Sequence, residues 1–334
     1  MPMPDKIKYG VVGCGHLGRF HAEKIAAIPR VELSAVFDIV PEKTSTTAQK
    51  NGCRDCKTIE ELLKYVDAVS IVVPTELHYA EARRALLEGK HVLVEKPIAT
   101  KEKEGIELTE LAQKKNLKLQ VGHIERFNPI CQSLRLLPEA PRFIEGHRLS
   151  QFSPRNLGVD VILELMIHDI DLILWVVKSR VREVRASAVP VISDKPDIAN
   201  ARIEFENGTV ANLTASRISA NKMRKLRFFA KDNYLSIDLQ KRTGEHFVLA
   251  PLDDTASYRD YFPALQHEPT GRKIMFRQLQ SPESDMLTEE IRSFVEAISL
   301  DREVAVGGEA AVEALRLARQ IEQAATEHAS RVFP

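Results

Sequence analysis

Two short segments carry residues whose types and spacing could move a proton or stabilise charge. The first is Glu95-Lys96-Pro97, which directly follows an apolar run predicted to be a strand. A lysine at the carboxyl end of such a strand can donate to a substrate oxygen and stabilise developing negative charge, and Glu95 could orient it. From position alone, a strand end with ordinary solvated charges explains the segment equally well.

The second segment lies in an apolar stretch, 161–177, that is predicted to be one helix. Helical periodicity puts Glu164, His168 and Asp171 on one face of it. Histidine titrates near neutrality and suits a general base. A core histidine whose hydrogen bonds are satisfied would give the same pattern, so both interpretations stay open.

A glycine-rich turn near the start of the chain predicts a dinucleotide site. It follows an apolar strand and opens a helix, which is the context that gives the pattern G-x-G-x-x-G its meaning. The helix N-terminus would offer amide groups to a pyrophosphate. The segment comprises Gly13, Cys14, Gly15, His16, Leu17 and Gly18.

Asp38 ends the second predicted strand. A carboxylate there can accept hydrogen bonds from both ribose hydroxyls of the adenosine and would repel a 2′-phosphate, so we predict NAD rather than NADP as the cofactor. The alternative is a glycine turn with an unrelated acidic cap.

The composition excludes several classes of protein. The chain has 334 residues, with 47 basic and 47 acidic side chains, so no charge excess points to nucleic acid or anionic lipid. No apolar run reaches the roughly 18 residues that a membrane span needs, and four cysteines do not suggest a disulfide scaffold. We therefore expect a cytoplasmic protein with no nucleic-acid or membrane partner and no metal.

The pattern of elements predicts two α/β domains. Apolar strands alternate with helices over residues 5–123, which predicts an NAD-binding Rossmann domain with a doubly wound parallel sheet. Residues 124–334 predict a second α/β domain with a large open, mainly antiparallel sheet. Residues 253–282 are polar and contain prolines, and we expect a long surface excursion there.

Taken together, these motifs resemble the Gfo/Idh/MocA family, the glucose–fructose oxidoreductase and inositol dehydrogenase group. The resemblance implies that Lys96 is the catalytic lysine, with a cis bond before Pro97, and that His168 is the general acid/base. It also implies association through the open sheet as a homodimer or homotetramer. Besides the glycine turn and Asp38, the residues expected along the cofactor are Pro74, Thr75, His78, Glu95 and Lys96.

The expected substrate site departs from the family in one place. The family usually has Asp four residues before the histidine and Gly two before it, whereas this chain has Glu164 and Met166. Residues 122–129 contain Arg126 and Asn128 and are most similar to nucleotide-sugar dehydrogenases, including UDP-N-acetylglucosamine 3-dehydrogenases. A hinge whose polar groups only satisfy the backbone is the alternative. The residues expected to bind substrate are Lys96, Arg126, Asn128, Glu164 and His168.

The resulting hypothesis is an NAD-dependent dehydrogenase that oxidises a sugar CH–OH group, such as C3 of UDP-N-acetylglucosamine. His168 would accept the hydroxyl proton while Lys96 steadies the oxygen. Two other functions stay open. One is a dehydrogenase of an inositol, a free sugar or another small carbonyl compound, and the other is a non-catalytic NAD(H)-binding sensor.

Overall fold

The computed structural model describes residues 6–153, 158–250 and 258–332, and the chain forms two compact units. The first unit comprises residues 1–127 and 285–315, and the second comprises 128–284 and 316–334. The predicted boundary at 123/124 is close to residue 127, after which the chain first passes from the first unit to the second. The prediction placed residues 285–315 in the second domain, whereas the structure places them in the first unit.

The first unit contains a six-stranded parallel sheet in the order β3-β2-β1-β4-β5-β6. Its strands are β1 Ile7–Val12, β2 Val31–Phe37, β3 Arg54–Asp55, β4 Ala68–Ile71, β5 His91–Glu95 and β6 Leu119–Gly122. Its helices are α1 His16–Ala26, α2 Pro41–Asn51, α3 Ile59–Leu63, α4 Thr75–Leu87 and α5 Glu102–Lys114, with a 3-10 turn at Ile124–Phe127. The central strands are apolar because helices cover both faces of a parallel sheet, which confirms the predicted Rossmann architecture.

Helix α7, Met286–Ser299, belongs to this unit because its apolar face completes the core. Leu287, Ile291 and Phe294 lie in the same buried cluster as residues of β1 and α1. The ring of Phe294 meets Tyr9 of β1 edge-on, with centroids 6.2 Å apart. Sequence periodicity shows that such a helix is amphipathic, but it does not show which sheet the apolar face covers.

The second unit contains a nine-stranded sheet in the order β14-β15-β13-β12-β11-β7-β10-β9-β8. The pairing is antiparallel except between β7 and β10, which confirms the predicted large, mainly antiparallel sheet. The strands are β7 Phe143–Leu149, β8 Val181–Val189, β9 Ile198–Phe205, β10 Val210–Ser216, β11 Met223–Ala230, β12 Asn233–Asp238, β13 Thr243–Leu249, β14 Phe262–His267 and β15 Arg272–Gln280.

The helical segments of this unit differ from a simple α-helical pattern. Pro129–Leu136 is a 3-10 helix, and the predicted helix 161–177 is a π-helix at Ile162–Met166 followed by α6, Ile167–Val177. The last helix, α8, runs from Gly308 to Val332, and only its part from residue 316 onwards belongs to this unit. None of the helices among the described residues is long and apolar enough to cross a membrane.

The expectation of a surface excursion at 253–282 is wrong for most of that range. Strands β14 and β15 form a hairpin at the edge of the sheet, whereas residues 253–257 lie outside the described residues. Basic residues obscure the period-two pattern of β15, in which Ile274 and Phe276 face one side. The strand is stabilised by pairing with β13, a tertiary contact that local composition does not reveal.

Candidate active site

The glycine turn has the geometry that a dinucleotide loop requires. Gly13 has φ +96°, and a Cβ there would lie 2.3 Å from the Val72 carbonyl oxygen. A Cβ at Gly18 would lie 1.8 Å from the Gly13 carbonyl oxygen, so only glycine allows α1 to pack this closely. A Cβ at Gly15 would meet nothing within 4 Å, which leaves open space in front of the helix N-terminus. A pyrophosphate fits there, beside the first amide groups of α1 and the positive end of the helix dipole.

Asp38 ties the glycine turn to the end of β2. Its carboxylate accepts hydrogen bonds from the backbone amides of Cys14, at 2.7 Å, and Val40, at 2.9 Å. The side chain is only half-buried, and each carboxylate oxygen has a further lone pair. The arrangement therefore fits hydrogen bonding to ribose hydroxyls.

The other residues expected along the cofactor lie at the carboxyl ends of β1 and β4. His16 and Leu17 are exposed on the first turn of α1, where the His16 ring meets Phe20 edge-on. Pro74 precedes α4, and Thr75 is its first residue. Both lie on the edge of the sheet where open α/β folds bind ligands.

His78 is buried and bridges two loops. Its Nδ1 lies 2.7 Å from the Pro97 carbonyl oxygen and its Nε2 lies 2.9 Å from the Val73 carbonyl oxygen. Burial lowers the pKa of this imidazole, an effect that the two carbonyl contacts oppose. Since both ring nitrogens face backbone oxygens, His78 holds the loop after β4 against the loop after β5, and its contact with a cofactor remains a prediction.

Glu95 ends β5 and Lys96 follows it, and the Lys96–Pro97 peptide is cis, as predicted. Oε1 of Glu95 lies 2.9 Å from Nε2 of His21 on α1. Burial raises the pKa of Glu95, but the His21 hydrogen bond and the charges of His21 and Lys96 outweigh it, so the net pKa is lowered. A carboxylate therefore lies next to the half-buried Lys96.

In the second unit, Glu164 is held by an ion pair. It lies in the π-helical segment, and its Oε2 is 3.2 Å from Nη1 of Arg217. Arg217 also contacts the buried Asp197 at 2.8 Å. Burial opposes the charge of Asp197, but the amides of Ile192 and Val191 and the guanidinium outweigh it, and its pKa lies far below the usual range.

His168 is half-buried on the first turn of α6. The next residue, Asp169, forms a buried bidentate ion pair with Arg148 of β7, with Nη2 and Oδ1 2.7 Å apart. The predicted uniform α-helical face is wrong here, because the π-helix changes the angular spacing between Glu164 and His168. Such π segments are frequent at functional sites.

Arg126 and Asn128 differ in how deeply their side chains are buried. Arg126 is half-buried in the 3-10 turn after β6. Asn128 is 1 % exposed, donates to the Leu239 carbonyl oxygen at 2.9 Å and accepts from the Ile130 amide. Asn128 therefore hydrogen-bonds the backbone of the second unit, as the hinge alternative expects, and its contact with substrate stays a prediction.

Comparison with known proteins gives the family. Residues 7–123 match the oxidoreductase family with an NAD-binding Rossmann fold, and residues 138–236 match the GFO/IDH/MocA C-terminal domain. The chain is 39% identical over 316 residues to UDP-N-acetylglucosamine 3-dehydrogenase from Acidithiobacillus ferrooxidans, covering 94% of this chain and 96% of that protein. This chain belongs to the GFO/IDH/MocA family.

Structural similarity agrees with the sequence. A structure of the Acidithiobacillus ferrooxidans UDP-N-acetylglucosamine 3-dehydrogenase has a TM-score of 0.85 at 38% identity, over 96% of this chain and 97% of that chain. Inositol 2-dehydrogenase from Rhizobium meliloti is 26% identical, over 93% of this chain and 94% of that protein. Scyllo-inositol dehydrogenase from Lactobacillus casei has a TM-score of 0.78 at 21% identity, over 97% and 98%, which shows the shared fold.

Membership of the GFO/IDH/MocA family confirms the predictions about reaction class and cofactor. The chain is an NAD-dependent dehydrogenase that acts on CH–OH groups. The observed glycine turn and Asp38 are the parts of the chain that fit the dinucleotide.

Sequence inspection missed several polar residues that lie behind Glu95. They are Tyr9, His21, Ser70, Gln120 and Glu290, all of them fully buried. A signal for two of them was present, since Ser70 interrupts an apolar strand and Glu290 falls on the apolar face of an amphipathic helix. A polar side chain in such a position is costly unless it is paired or used.

Proposed function

We propose that this chain oxidises the C3 hydroxyl of a nucleotide sugar, UDP-N-acetylglucosamine, to a ketone with NAD⁺. The observation that carries the proposal is the 39% identity, over nearly the whole of both chains, to a UDP-N-acetylglucosamine 3-dehydrogenase. It is supported by the lysine and the histidine that the family resemblance makes catalytic, Lys96 directly after β5 in the first unit and His168 on α6 in the second.

In this proposal Lys96 and His168 have different roles at the substrate's CH–OH group. His168 accepts the hydroxyl proton, and the Lys96 ammonium donates a hydrogen bond to the oxygen as negative charge develops there. Bound NAD⁺ supplies the acceptor for the hydride that leaves C3. The balance is one secondary alcohol and NAD⁺ giving one ketone, NADH and a proton.

Glu164 acts with Arg217 in the same proposal. The extra methylene of Glu164, compared with the usual Asp, carries its carboxylate to the Arg217 guanidinium. The ion pair fixes that carboxylate, so we expect Glu164 to orient the sugar while Arg217 balances its charge. Arg126 remains a proposed contact to the substrate.

The test is an assay with a panel of substrates. We expect NADH formation with NAD⁺ and UDP-N-acetylglucosamine, and little with free N-acetylglucosamine or myo-inositol. A parallel reaction should contain 2-oxoglutarate as an external hydride acceptor and be followed by the 2-hydroxyglutarate formed, because tightly held NADH would otherwise stop turnover. Product analysis should find a ketone at C3.

Two substitutions with matched controls test the residue roles. Lys96→Met and His168→Asn should each lower kcat by about a hundredfold or more. The controls are Lys101→Met and His328→Asn, which make the same chemical changes at exposed positions. Near wild-type turnover in either site variant would overturn the assignment of that residue.

The inositol dehydrogenase relatives favour one second candidate, an inositol dehydrogenase. Turnover of inositols with no response to UDP or UDP-sugars would favour it. Binding of NAD(H) with no turnover across the panel would favour a sensor.

We also propose that the chain forms a homodimer or a homotetramer and that it is located in the cytoplasm. One side of the second unit's sheet carries a row of directly paired aromatic residues on neighbouring strands. Its members are Phe143, Phe229, Tyr234, Phe247, Phe276 and Phe262, none of which is buried. Such a row suits contact with another copy of the chain. Cell fractionation would test the location.

A further inference from the structure

A buried polar network lies behind the proposed catalytic lysine, on one face of the first unit's sheet. Strand register places Ser70 beside Leu93, and Leu93 beside Gln120. Helix α7 covers this face, because its apolar residues share a core with β1 and α1. The proposed function uses Lys96, which follows Glu95 in the chain, and leaves Glu95 and the other polar residues of this region without a role.

A chain of hydrogen bonds runs from the sheet interior to Glu95. The Tyr9 hydroxyl lies 3.1 Å from Oγ of Ser70, and Oγ of Ser70 lies 3.2 Å from Nδ1 of His21. Nε2 of His21 lies 2.9 Å from Oε1 of Glu95. His21 therefore has both ring nitrogens engaged, and its orientation is fixed from behind.

The second oxygen of Glu95 packs against the backbone of β6. A Cβ at Gly122 would lie 2.9 Å from Oε2 of Glu95. The glycine leaves room for the carboxylate and none for another side chain. Together with His21, this contact fixes where the charge of Glu95 lies.

Glu290 brings a second carboxyl group to the same region. It is fully buried on α7, and among the described residues neither of its carboxyl oxygens has a hydrogen-bond partner. The same holds for Oε1 of Gln120, whose Nε2 donates to the Glu290 carbonyl oxygen at 3.2 Å. Burial, and then the charge of Glu95, raise the pKa of Glu290 well above its usual range. An isolated buried charge is very costly, so burial and the neighbouring Glu95 carboxylate both favour the neutral form of Glu290.

We propose that His21 and Glu290 are positioning residues that act on Lys96 through the Glu95 carboxylate. His21 keeps Glu95 ionised and oriented, and neutral Glu290 leaves one negative charge behind Lys96 instead of two. One charge favours the ammonium form of Lys96, whereas a second would hold the ammonium towards the interior and away from substrate. The inference rests on the proposed function, which makes Lys96 catalytic.

The first experiment measures kcat against pH for His21→Leu, with His91→Leu as the control at a half-buried position on β5. Without His21, burial dominates and the pKa of Glu95 rises. We expect the acid limb of the kcat profile to move up by about one pH unit or more, and kcat to fall about tenfold with little change in KM. A purely structural role would lower the thermal midpoint and leave the limb in place, and that result would overturn the proposal.

Glu95→Gln provides a second variant should His21→Leu fail to fold. It should lower kcat by at least about tenfold and move the alkaline limb to lower pH, because Lys96 loses the charge that favours its ammonium form. An unchanged alkaline limb would contradict the proposal.

Glu290→Gln tests the neutral acid, with Glu289→Gln on the exposed side of α7 as control. The acid limb should stay at the wild-type pH, since an amide replaces a neutral acid. A shift to lower pH would mean that Glu290 is charged in the wild type, which would overturn its role. The infrared spectrum of the wild type should contain the carbonyl band of a protonated carboxylic acid. Subtracting the Glu290→Gln spectrum from it should leave this band, and subtracting the Glu289→Gln spectrum should not.

The infrared measurement distinguishes failure of the proposed function from failure of this inference. If no substrate in the panel turns over, the proposed function fails, and the spectrum alone decides whether Glu290 is a neutral acid beside Glu95. If turnover occurs but the pH limbs do not move, the inference fails while the proposed function stands.

Discussion

At the scale of single residues, the site depends on contacts that tolerate little change. Gly18 lies so close to the Gly13 carbonyl that a single added carbon would overlap it. Asp38 joins the glycine turn to β2, and Glu95 joins α1 to Lys96. The glycine positions and Asp38 could be predicted from spacing, because their roles are local.

Gly18→Ala should therefore weaken both folding and cofactor binding. The added Cβ must displace the backbone of the turn, and we expect a loss of about 1–3 kcal/mol in the free energy of unfolding. NADH affinity, measured by fluorescence titration, should fall with it. Gly158→Ala is the control, since a Cβ there meets nothing within 4 Å. Wild-type affinity in Gly18→Ala would contradict the proposed packing.

Asp38→Ala should relax the choice of cofactor. Removal of the carboxylate takes away both the acceptor for ribose hydroxyls and the repulsion of a 2′-phosphate. We expect the ratio of kcat/KM for NAD⁺ over NADP⁺ to fall by about tenfold or more, equivalent to about 1.4 kcal/mol. Asp55→Asn, at an exposed acid on β3, should leave the ratio unchanged. An unchanged ratio in Asp38→Ala would exclude a role in discrimination.

At the scale of elements, the π-helix that begins at Ile162 is positioned by an acid pair. Asp160 accepts hydrogen bonds from the amides of Ile162, at 2.8 Å, and Leu163, at 3.1 Å. Glu322 on α8 also faces Asp160. Burial, and then the hydrogen bond with Asp160 and its charge, raise the pKa of Glu322 from 4.5 to about 8.

This pair makes stability depend on pH in a defined direction. The unfolded chain releases the Glu322 proton near pH 4.5 and the folded chain near pH 8, so the contribution is present below pH 4.5 and is lost as pH rises to about 8. As pH rises through that range, the thermal midpoint of the wild type should fall relative to the thermal midpoint of Glu322→Gln. Glu327→Gln, at an exposed position on α8, is the control. Parallel curves for wild type and Glu322→Gln would refute the pairing.

At the scale of the whole molecule, the aromatic row on the second unit's sheet predicts association. Phe229 is 37% exposed and pairs directly with Phe143 and Tyr234. Phe229→Glu should shift the mass measured by light scattering from dimer or tetramer to monomer, because it places a charge within the contact. Phe152→Glu, at another exposed phenylalanine, is the control. A monomeric wild type would contradict the proposal.

Much of the fold and part of the site could be predicted from the sequence. Apolar strands alternating with helices predict the parallel sheet, since both of its faces must be covered. The sequence did not reveal the return of α7 to the first unit, the π-helix before His168, or the network of His21, Ser70 and Glu290. Each of these arises from packing between distant segments, which a local pattern does not encode.

The central claim is that a hydride leaves C3 of UDP-N-acetylglucosamine for NAD⁺. The most direct measurement uses UDP-N-acetylglucosamine with deuterium at C3 and mass spectrometry of the NADH formed. We predict NADH that is heavier by one deuterium, together with unlabelled 3-keto product. Turnover that leaves the NADH unlabelled, or no turnover of this sugar while another substrate is oxidised, would contradict the claim.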